Sequence, residues 1–268
     1  MKISVYTNID RDLSRDTACE VAEILRAAGA LDCIYEDGKD SNLAITDLNC
    51  DVLIAIGGDG TMLKAVSYAA RHGIPIFGIN TGTVGFLTEV GRDSLKSNLN
   101  KVIGGAYFIE ERAMLKARDI SGEYYALNEV VIACNSCHVA EIKVEIDGTL
   151  SDNIRADGVL VCTPTGSTAY SLSCNGPVLS PDVNAFVVNS ICPHSLHACP
   201  MVIGSDSVVK LSCNNRDIKL IVDGKNISYP ETPYWVEISR AEFNAKFIRL
   251  DKQNFYNRLL QKLSYWSV

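Results

Sequence analysis

Apolar residues in the amino-terminal part of the chain alternate between short unbroken runs and stretches of helical spacing. Ile3 and Val5 mark a first strand. Val21, Ile24, Leu25 and Ala28 then recur at the intervals of one helix face, and Gly29 ends the pattern. Residues 52–56 are apolar throughout, as befits a parallel strand covered on both faces. Helix formers follow over 62–72 up to Gly73, and 74–79 supplies another strand. This order of strand, helix, strand, helix, strand predicts a doubly wound α/β unit with ligand loops at the carboxyl ends of its strands.

Past Gly104 the period shortens to two. Ile142, Val144 and Ile146 alternate with Lys143 and Glu145 before Asp147-Gly148, and Ile218, Leu220 and Val222 alternate with their neighbours before Asp223-Gly224. Half-buried strands ended by tight turns are expected, so the second part reads as mainly β. Phe255, Leu259, Leu260 and Leu263 return to helical spacing after Asp251, predicting a terminal helix that packs back on the first domain. The expected division is 1–103 (α/β), 104–248 (mainly β) and 249–268 (the returning helix). No repeat or low-complexity tract interrupts it.

Composition narrows the function classes. With 268 residues, 29.2 kDa and 47% hydrophobic residues, the chain has material for two cores. A net charge of -7 and a sequence pI near 5.2, without a basic run, speak against a nucleic-acid surface. The opening M-K-I-S-V-Y-T-N has no signal-peptide stretch, and no segment has the apolar length of a membrane span, so no membrane and a cytoplasmic location are expected. The 10 Cys are scattered, as reduced core thiols would be. Cys134, Cys137 and His138 match the C-x-x-C-H haem pattern, but that chemistry belongs to exported proteins. Cys192, His194, His197 and Cys199 lack the paired spacings of zinc sites, so no metal ligands are assigned.

Candidate chemistry gathers in two places. Residues 54–61 read I-A-I-G-G-D-G-T, an apolar strand ending in three glycines around one carboxylate. Glycines let the backbone approach a ligand, consecutive amides form an anion-holding concavity, and the following helix start adds its dipole. Asp59 would be repelled by a phosphate unless it binds a metal or takes a proton from a hydroxyl; as a bland alternative it caps the helix. The turn lacks the Walker spacing, since Lys64 follows Thr61, and G-x-G-x-x-G is absent. Residues 163–170 read T-P-T-G-S-T-A-Y, a hydroxyl- and glycine-rich loop of the kind that clasps a polar ligand.

The blocks G-G-D-G-T-M-L (57–63), G-I-N-T-G-T-V-G-F-L-T-E (78–89), N-E-V-V-I (128–132), R-A-D-G (155–158), T-P-T-G-S-T-A-Y-S-L-S (163–173) and P-H-S-L (193–196) resemble the NAD kinase family and run in that family's order. The resemblance implies transfer of the terminal phosphate of ATP, or polyphosphate, to the 2'-hydroxyl of the adenosine ribose of NAD. Magnesium or another divalent cation would accompany the ATP. It also implies a phosphate-donor role for the first domain, NAD binding by the second, and a homodimer or homotetramer. Asp59 matches the catalytic base. Gly57, Gly58, Gly60, Thr61 and Phe86 fall among the ligand-binding positions. Asn128 and Glu129 would hold the adenine and ribose end, and Asp157 the nicotinamide side. Thr168, Ala169, Tyr170, Ser171 and Ser173 would line the dinucleotide site, and Arg155 would contact ligand or subunit.

Each of these residues has an ordinary alternative. Asn128-Glu129 can start a strand, Tyr170 can be a core aromatic, Asp157-Gly158 can be a turn, and His194 reads equally as packing or phosphate contact. The chain also departs from the family where S-L-S-A-G-G-P becomes S-L-S-C-N-G-P, with Cys174 and Asn175 replacing small residues, and where T-V-G-F-L stands for R-L-G-F-L. G-G-D-G is shared with lipid kinases of the diacylglycerol type. The competing readings are therefore such a kinase, or an idle NAD(P) sensor on the same scaffold.

Overall fold

The computed structural model describes residues 1–37, 48–82, 85–135, 139–195, 198–214, 217–251 and 255–265. Packing divides the chain into two units, 1–111 with 244–268, and 112–243.

In the first unit, strands β1 (Ile3–Asn8), β2 (Leu31–Asp37), β3 (Val52–Ile56), β4 (Ile76–Ile79) and β5 (Phe108–Arg112) share a six-stranded sheet with the late strand Ala245–Arg249. The order is β2-β1-β3-β4, then the late strand, then β5, and β1 pairs in parallel with both β2 and β3. Helices α1 (Asp12–Ala27) and α3 (Leu95–Ile103) cover one face, where Val21, Leu25, Leu99 and Val102 meet Val5, Ile54, Ile56 and Ile79. Helix α2 (Asp59–Ala69) covers the other: the Tyr68 ring lies 5.8 Å from that of Tyr6, and Met62 lies over Gly78. This double covering is why all of β3 is buried, and the doubly wound expectation holds.

Helix α2 starts earlier than the apolar pattern suggests. Gly58, extended at φ -93° and ψ -171°, is its cap residue, so Asp59 opens the helix rather than capping it. A 3-10 turn over Ala70–His72 then tightens the chain before Gly73, whose φ of 66° ends it. The C-terminal helix Phe255–Tyr265 belongs to this unit, as expected, although Leu260 points to solvent.

The second unit is antiparallel. Its strands are β6 (Leu115–Asp119), β7 (Gly122–Ala126), β8 (Glu129–Cys134), β9 (Ala140–Ile146), β10 (Thr149–Ala156), β11 (Gly158–Cys162), β12 (Ala185–Ile191), β13 (Met201–Gly204), β14 (Val209–Cys213), β15 (Ile218–Val222), β16 (Lys225–Ser228) and β17 (Tyr234–Arg240). They form two sheets, ordered β10-β9-β14-β17-β6-β7 and β13-β12-β11-β8-β15-β16. Ile142, Val144, Leu211 and Val236 of the first share a core with Val130, Ile132, Val159 and Leu220 of the second. Each such side chain, once buried, contributes about 1.5–3 kcal/mol. Strands β11 and β12 are buried throughout because Leu160, Cys162 and Val187 pack on the reverse face against Cys174 and Leu179. The Asp147-Gly148 and Asp223-Gly224 turns carry positive φ at both residues (51° and 76°; 47° and 74°), the geometry of two-residue hairpins. No helix among the described residues is long and apolar enough to cross a membrane.

Gly78 sits where Met62 of α2 packs directly on the sheet. A methyl group there would lie 2.8 Å from Met62 Sδ and 2.9 Å from Thr88 Cα. Gly78→Ala is expected to lower the unfolding free energy by about 1–3 kcal/mol in urea titration, with the circular dichroism spectrum retained. An unchanged midpoint would contradict this packing.

Candidate active site

At the carboxyl end of β3 the chain turns through Gly57-Gly58 into α2. Gly57 adopts φ 152°, and any side chain there would run into that of Thr61. Its N–H donates to Ile79 O at 2.9 Å, tying this turn to the end of the neighbouring strand β4. Asp59 is half-buried at the first position of the helix. Its Oδ2 accepts the N–H of Phe86 at 3.0 Å and its Oδ1 that of Leu87 at 3.1 Å. Gly85 makes room for this, since a Cβ at 85 would occupy the space of the Asp59 carboxylate. The G-F-L-T-E block thus meets the G-G-D-G block, and Phe86, expected as a ligand residue, contributes its backbone here. Gly60 is exposed and Thr61 half-buried at the helix start.

The receiving segment is itself held. The Arg258 Nη1 donates to Phe86 O and Thr88 O, both at 3.2 Å, and Arg249 Nη1 donates to Leu87 O at 3.1 Å. Both guanidiniums pair with the buried Glu89 carboxylate, at 2.9 Å for Arg258 and 3.1 Å for Arg249. Sequence reasoning singled out neither arginine nor Glu89, because their significance depends on chain positions some 160 residues apart. Asn80 is a further omission. Its Oδ1 accepts the N–H of Gly82 at 2.9 Å, and its buried Nδ2 has no partner among the described residues.

In the second unit, the T-P-T-G loop is welded to the N-E segment. Thr163 Oγ1 donates to Leu127 O at 2.5 Å, the Thr163 N–H donates to Asn128 O at 2.9 Å, and a Cβ on Gly166 would collide with Asn128 O. Asn128 is half-buried, Thr168 buried, Ala169 half-buried, and Tyr170 42% exposed, so Tyr170 is not a core aromatic. Ser171 is buried: its hydroxyl lies 3.4 Å from Asn189 Nδ2, and its carbonyl accepts the Gly176 N–H at 2.8 Å. Ser173 and Asp157 are exposed. Arg155 is exposed on β10, and its carbonyl accepts the N–H of the exposed His194 at 2.8 Å. Asn175 adopts φ 59°, a left-handed conformation that asparagine tolerates better than most residues, which suits it to a position where the family has glycine.

Glu129 opens β8 with its side chain buried, one carboxylate oxygen unpartnered and the Tyr170 N–H directed to the group. Burial first, and the charge of Asp223 second, push its carboxyl up to about 7. Asp223 accepts the N–H groups of Leu127, Asn128 and Glu129 at 2.8, 2.7 and 3.2 Å. Burial also raises Asp223, against the pull of those three donors. The Asp-Gly pair legible as a turn is therefore also the clamp that fixes Asn128 and Glu129.

Of the C-x-x-C-H match, Cys134 ends β8 half-buried, while residues 136–138 lie outside the described residues. Cys192, His194 and Cys199 are exposed, and His197 lies outside the described residues. Among the described residues no group of three or more His, Cys, Asp or Glu gathers to hold a metal.

A carboxylate on a glycine turn at the end of a covered parallel strand, in a chain that continues as a β-sandwich, is the arrangement that the resemblance to G-G-D-G kinases implies. Comparison with known proteins narrows the class. Residues 4–107 match the model of the ATP-NAD kinase N-terminal domain and 127–250 that of the ATP-NAD kinase C-terminal domain. An NAD kinase of Caldicellulosiruptor saccharolyticus is 34% identical over 265 residues, covering 98% of this chain and 99% of its own. One from Symbiobacterium thermophilum is 36% identical over 281 residues, with the same coverage. Yeast NADH kinase, solved in complex with NADH, shares the fold at a TM-score of 0.85 and 24% identity, over 98% of this chain and 87% of its own. The chain belongs to the NAD kinase family.

The raised Glu129 has a measurable consequence. In the unfolded chain this carboxyl ionises near 4.5, whereas the folded one keeps its proton to about 7. Its contribution to stability is therefore fully present below about pH 4.5 and is lost as pH rises through 7, a penalty on the order of 3 kcal/mol. Glu129→Gln should melt above the parent protein at pH 8 and level with it at pH 5. A difference independent of pH would exclude the buried, protonated carboxyl.

Proposed function

We propose that this member of the NAD kinase family makes NADP by moving the terminal phosphate of ATP, or of polyphosphate, to the 2'-hydroxyl of the adenosine ribose of NAD, with Asp59 as the general base. The observation that carries the reading is the placement of Asp59 at the start of α2, beside the amides of the glycine turn and with both oxygens engaged by N–H donors. Those donors orient the carboxylate, and each oxygen keeps a further lone pair for a substrate proton. In the step itself the 2'-oxygen attacks the terminal phosphorus and its proton passes to Asp59. The bond from phosphorus to the bridging oxygen breaks, and ADP leaves with that electron pair.

A ribose hydroxyl is a weak nucleophile, so a carboxylate within hydrogen-bond reach accounts for about 10²–10⁴ in rate. Positioning and charge neutralisation supply the rest. The donor's phosphates fit the amides of Gly58 and Gly60 at the positive end of the α2 dipole, while the Thr61 N–H is turned back onto Gly58 O at 3.0 Å. Magnesium or another divalent cation bound to the ATP would supply neutralisation of phosphate charge.

The dinucleotide is assigned to the second unit. Asn128 and Glu129, clamped by Asp223, receive the adenine and ribose end, with the unpartnered Glu129 oxygen available to a sugar hydroxyl. Asp157 takes the nicotinamide side, and Tyr170 offers an exposed aromatic face to a base. Thr168, Ala169 and Ser173 line the same loop. The buried Ser171 shapes it from beneath. Arg155 serves a ligand or a neighbouring subunit. The first unit is accordingly the donor domain and the second the NAD domain, in a cytoplasmic homodimer or homotetramer.

The test is purified protein with ATP, magnesium and NAD, followed for NADP. Asp59→Asn should still bind NAD while losing all but about one part in 10² to 10⁴ of turnover. A variant turning over like the parent would remove the base assignment, and an inert parent that binds NAD would favour a sensor. Light scattering should give a mass of two or four chains; a single-chain mass under assay conditions would refute the oligomer.

A further inference from the structure

We propose that Arg258, in the C-terminal helix, is a positioning residue for the Asp59 carboxylate, acting through the single peptide unit that joins Phe86 to Leu87. The inference rests on the reading of Asp59 as the base. It goes beyond that reading by making the far end of the chain part of the catalytic apparatus.

The geometry is a relay across one amide. Arg258 Nη1 donates to the carbonyl oxygen of Phe86 at 3.2 Å. The N–H at the other end of that same peptide, belonging to Leu87, donates to Asp59 Oδ1 at 3.1 Å. A cation on the carbonyl and an anion on the N–H both deepen the dipole of the peptide between them, so each bond strengthens the other. A second bond from Arg258 Nη1, to Thr88 O at 3.2 Å, and the Phe86 N–H on Asp59 Oδ2 at 3.0 Å keep the segment from rotating about this axis.

Arg258 is anchored in turn. Its Nη2 pairs at 2.9 Å with Glu89, whose side chain is 1% exposed. Glu89 also holds Arg249 at 3.1 Å and accepts the N–H of Leu250 at 2.9 Å. Arg249 reaches Glu110 at 2.5 Å and Leu87 O at 3.1 Å. Two guanidiniums and two carboxylates thus form a neutral cluster, most of it buried, under the segment that receives Asp59. Arg249 lies on the sheet strand Ala245–Arg249, but Arg258 lies on a terminal helix that the second unit of the chain precedes. Of the two arginines, only Arg258 bonds the peptide unit whose N–H reaches Asp59 Oδ1.

Loss of this contact should leave NAD binding in place and blunt proton removal. Arg258→Ala is expected to lower kcat roughly 10- to 100-fold, by analogy with the loss of a hydrogen-bond partner behind a metal ligand, with KM for NAD within about twofold. Arg258→Lys, able to reach the carbonyl but not to bridge to Glu89 as well, should lie between Ala and the parent. Guanidinium ion at millimolar concentration should restore part of the rate to Arg258→Ala and none to Arg258→Lys. Adding Arg258→Ala to Asp59→Asn should change the residual turnover little, since both act on one group.

Parental kcat in Arg258→Ala would overturn the proposal. So would a loss of kcat in both variants that tracks their melting temperatures and does not respond to guanidinium. If Asp59→Asn is inert while Arg258→Ala works normally, the relay alone fails. If Asp59→Asn turns over like the parent, the base reading fails and the relay with it.

Discussion

Two backbone N–H groups, those of Phe86 and Leu87, close on the two oxygens of Asp59, and the glycine turn of the first unit is organised around that contact. A carboxylate at the positive end of a helix is electrostatically at ease, but a free side chain there would sample several rotamers. The amides select one. To reach them, the chain after β4 must come back beneath α2, which requires the absence of side chains at Gly78 and Gly85. The glycines of this part of the sequence thus do two different jobs. Gly57 makes a turn that other residues resist, while Gly78 and Gly85 yield space to Met62 and Asp59.

Much of this was legible in the chain itself. The unbroken run 52–56 announced a doubly covered strand because burial on both faces leaves no polar position. The alternation ending at Asp147-Gly148 and Asp223-Gly224 announced hairpins because those turns need positive φ twice. Strand β2 escaped notice for the complementary reason: as an edge strand it is largely half-exposed, and L-D-C-I-Y-E-D carries no clear period. Helix α3 does carry a signal, Leu95, Leu99 and Val102 on one face, but over only nine residues. The insertion of Ala245–Arg249 beside β4 depends on contacts far apart in sequence, which no local pattern encodes.

The same division applies to the site. Motif chemistry pointed to Asp59, Asn128 and Glu129, whereas Arg249, Arg258 and Glu89, which hold the segment receiving Asp59, carry no motif role of their own, and Asp223 reads as a turn residue. Asp223 is the sharpest instance. Its Asp-Gly pair satisfies a hairpin rule so fully that nothing in the sequence asks for a second role, yet its carboxylate collects three amides of the Leu127–Glu129 segment. Its negative charge then adds to the larger effect of burial in raising the neighbouring Glu129 carboxyl, so one turn residue fixes the backbone of the N-E motif and contributes to its protonation. The departure at Asn175 is absorbed locally, by a left-handed conformation at the end of the hydroxyl-rich loop, while that at 83–84 lies outside the described residues.

The central claim is that Asp59 takes the proton of the ribose hydroxyl. A crystal structure of the parent enzyme with NAD and a non-hydrolysable ATP analogue tests it most directly. The 2'-oxygen of the adenosine ribose is expected within about 3 Å of an Asp59 carboxylate oxygen, with the Phe86 and Leu87 N–H groups still in place behind it. A dinucleotide bound with that oxygen beyond reach of Asp59, or facing another carboxylate, would contradict it.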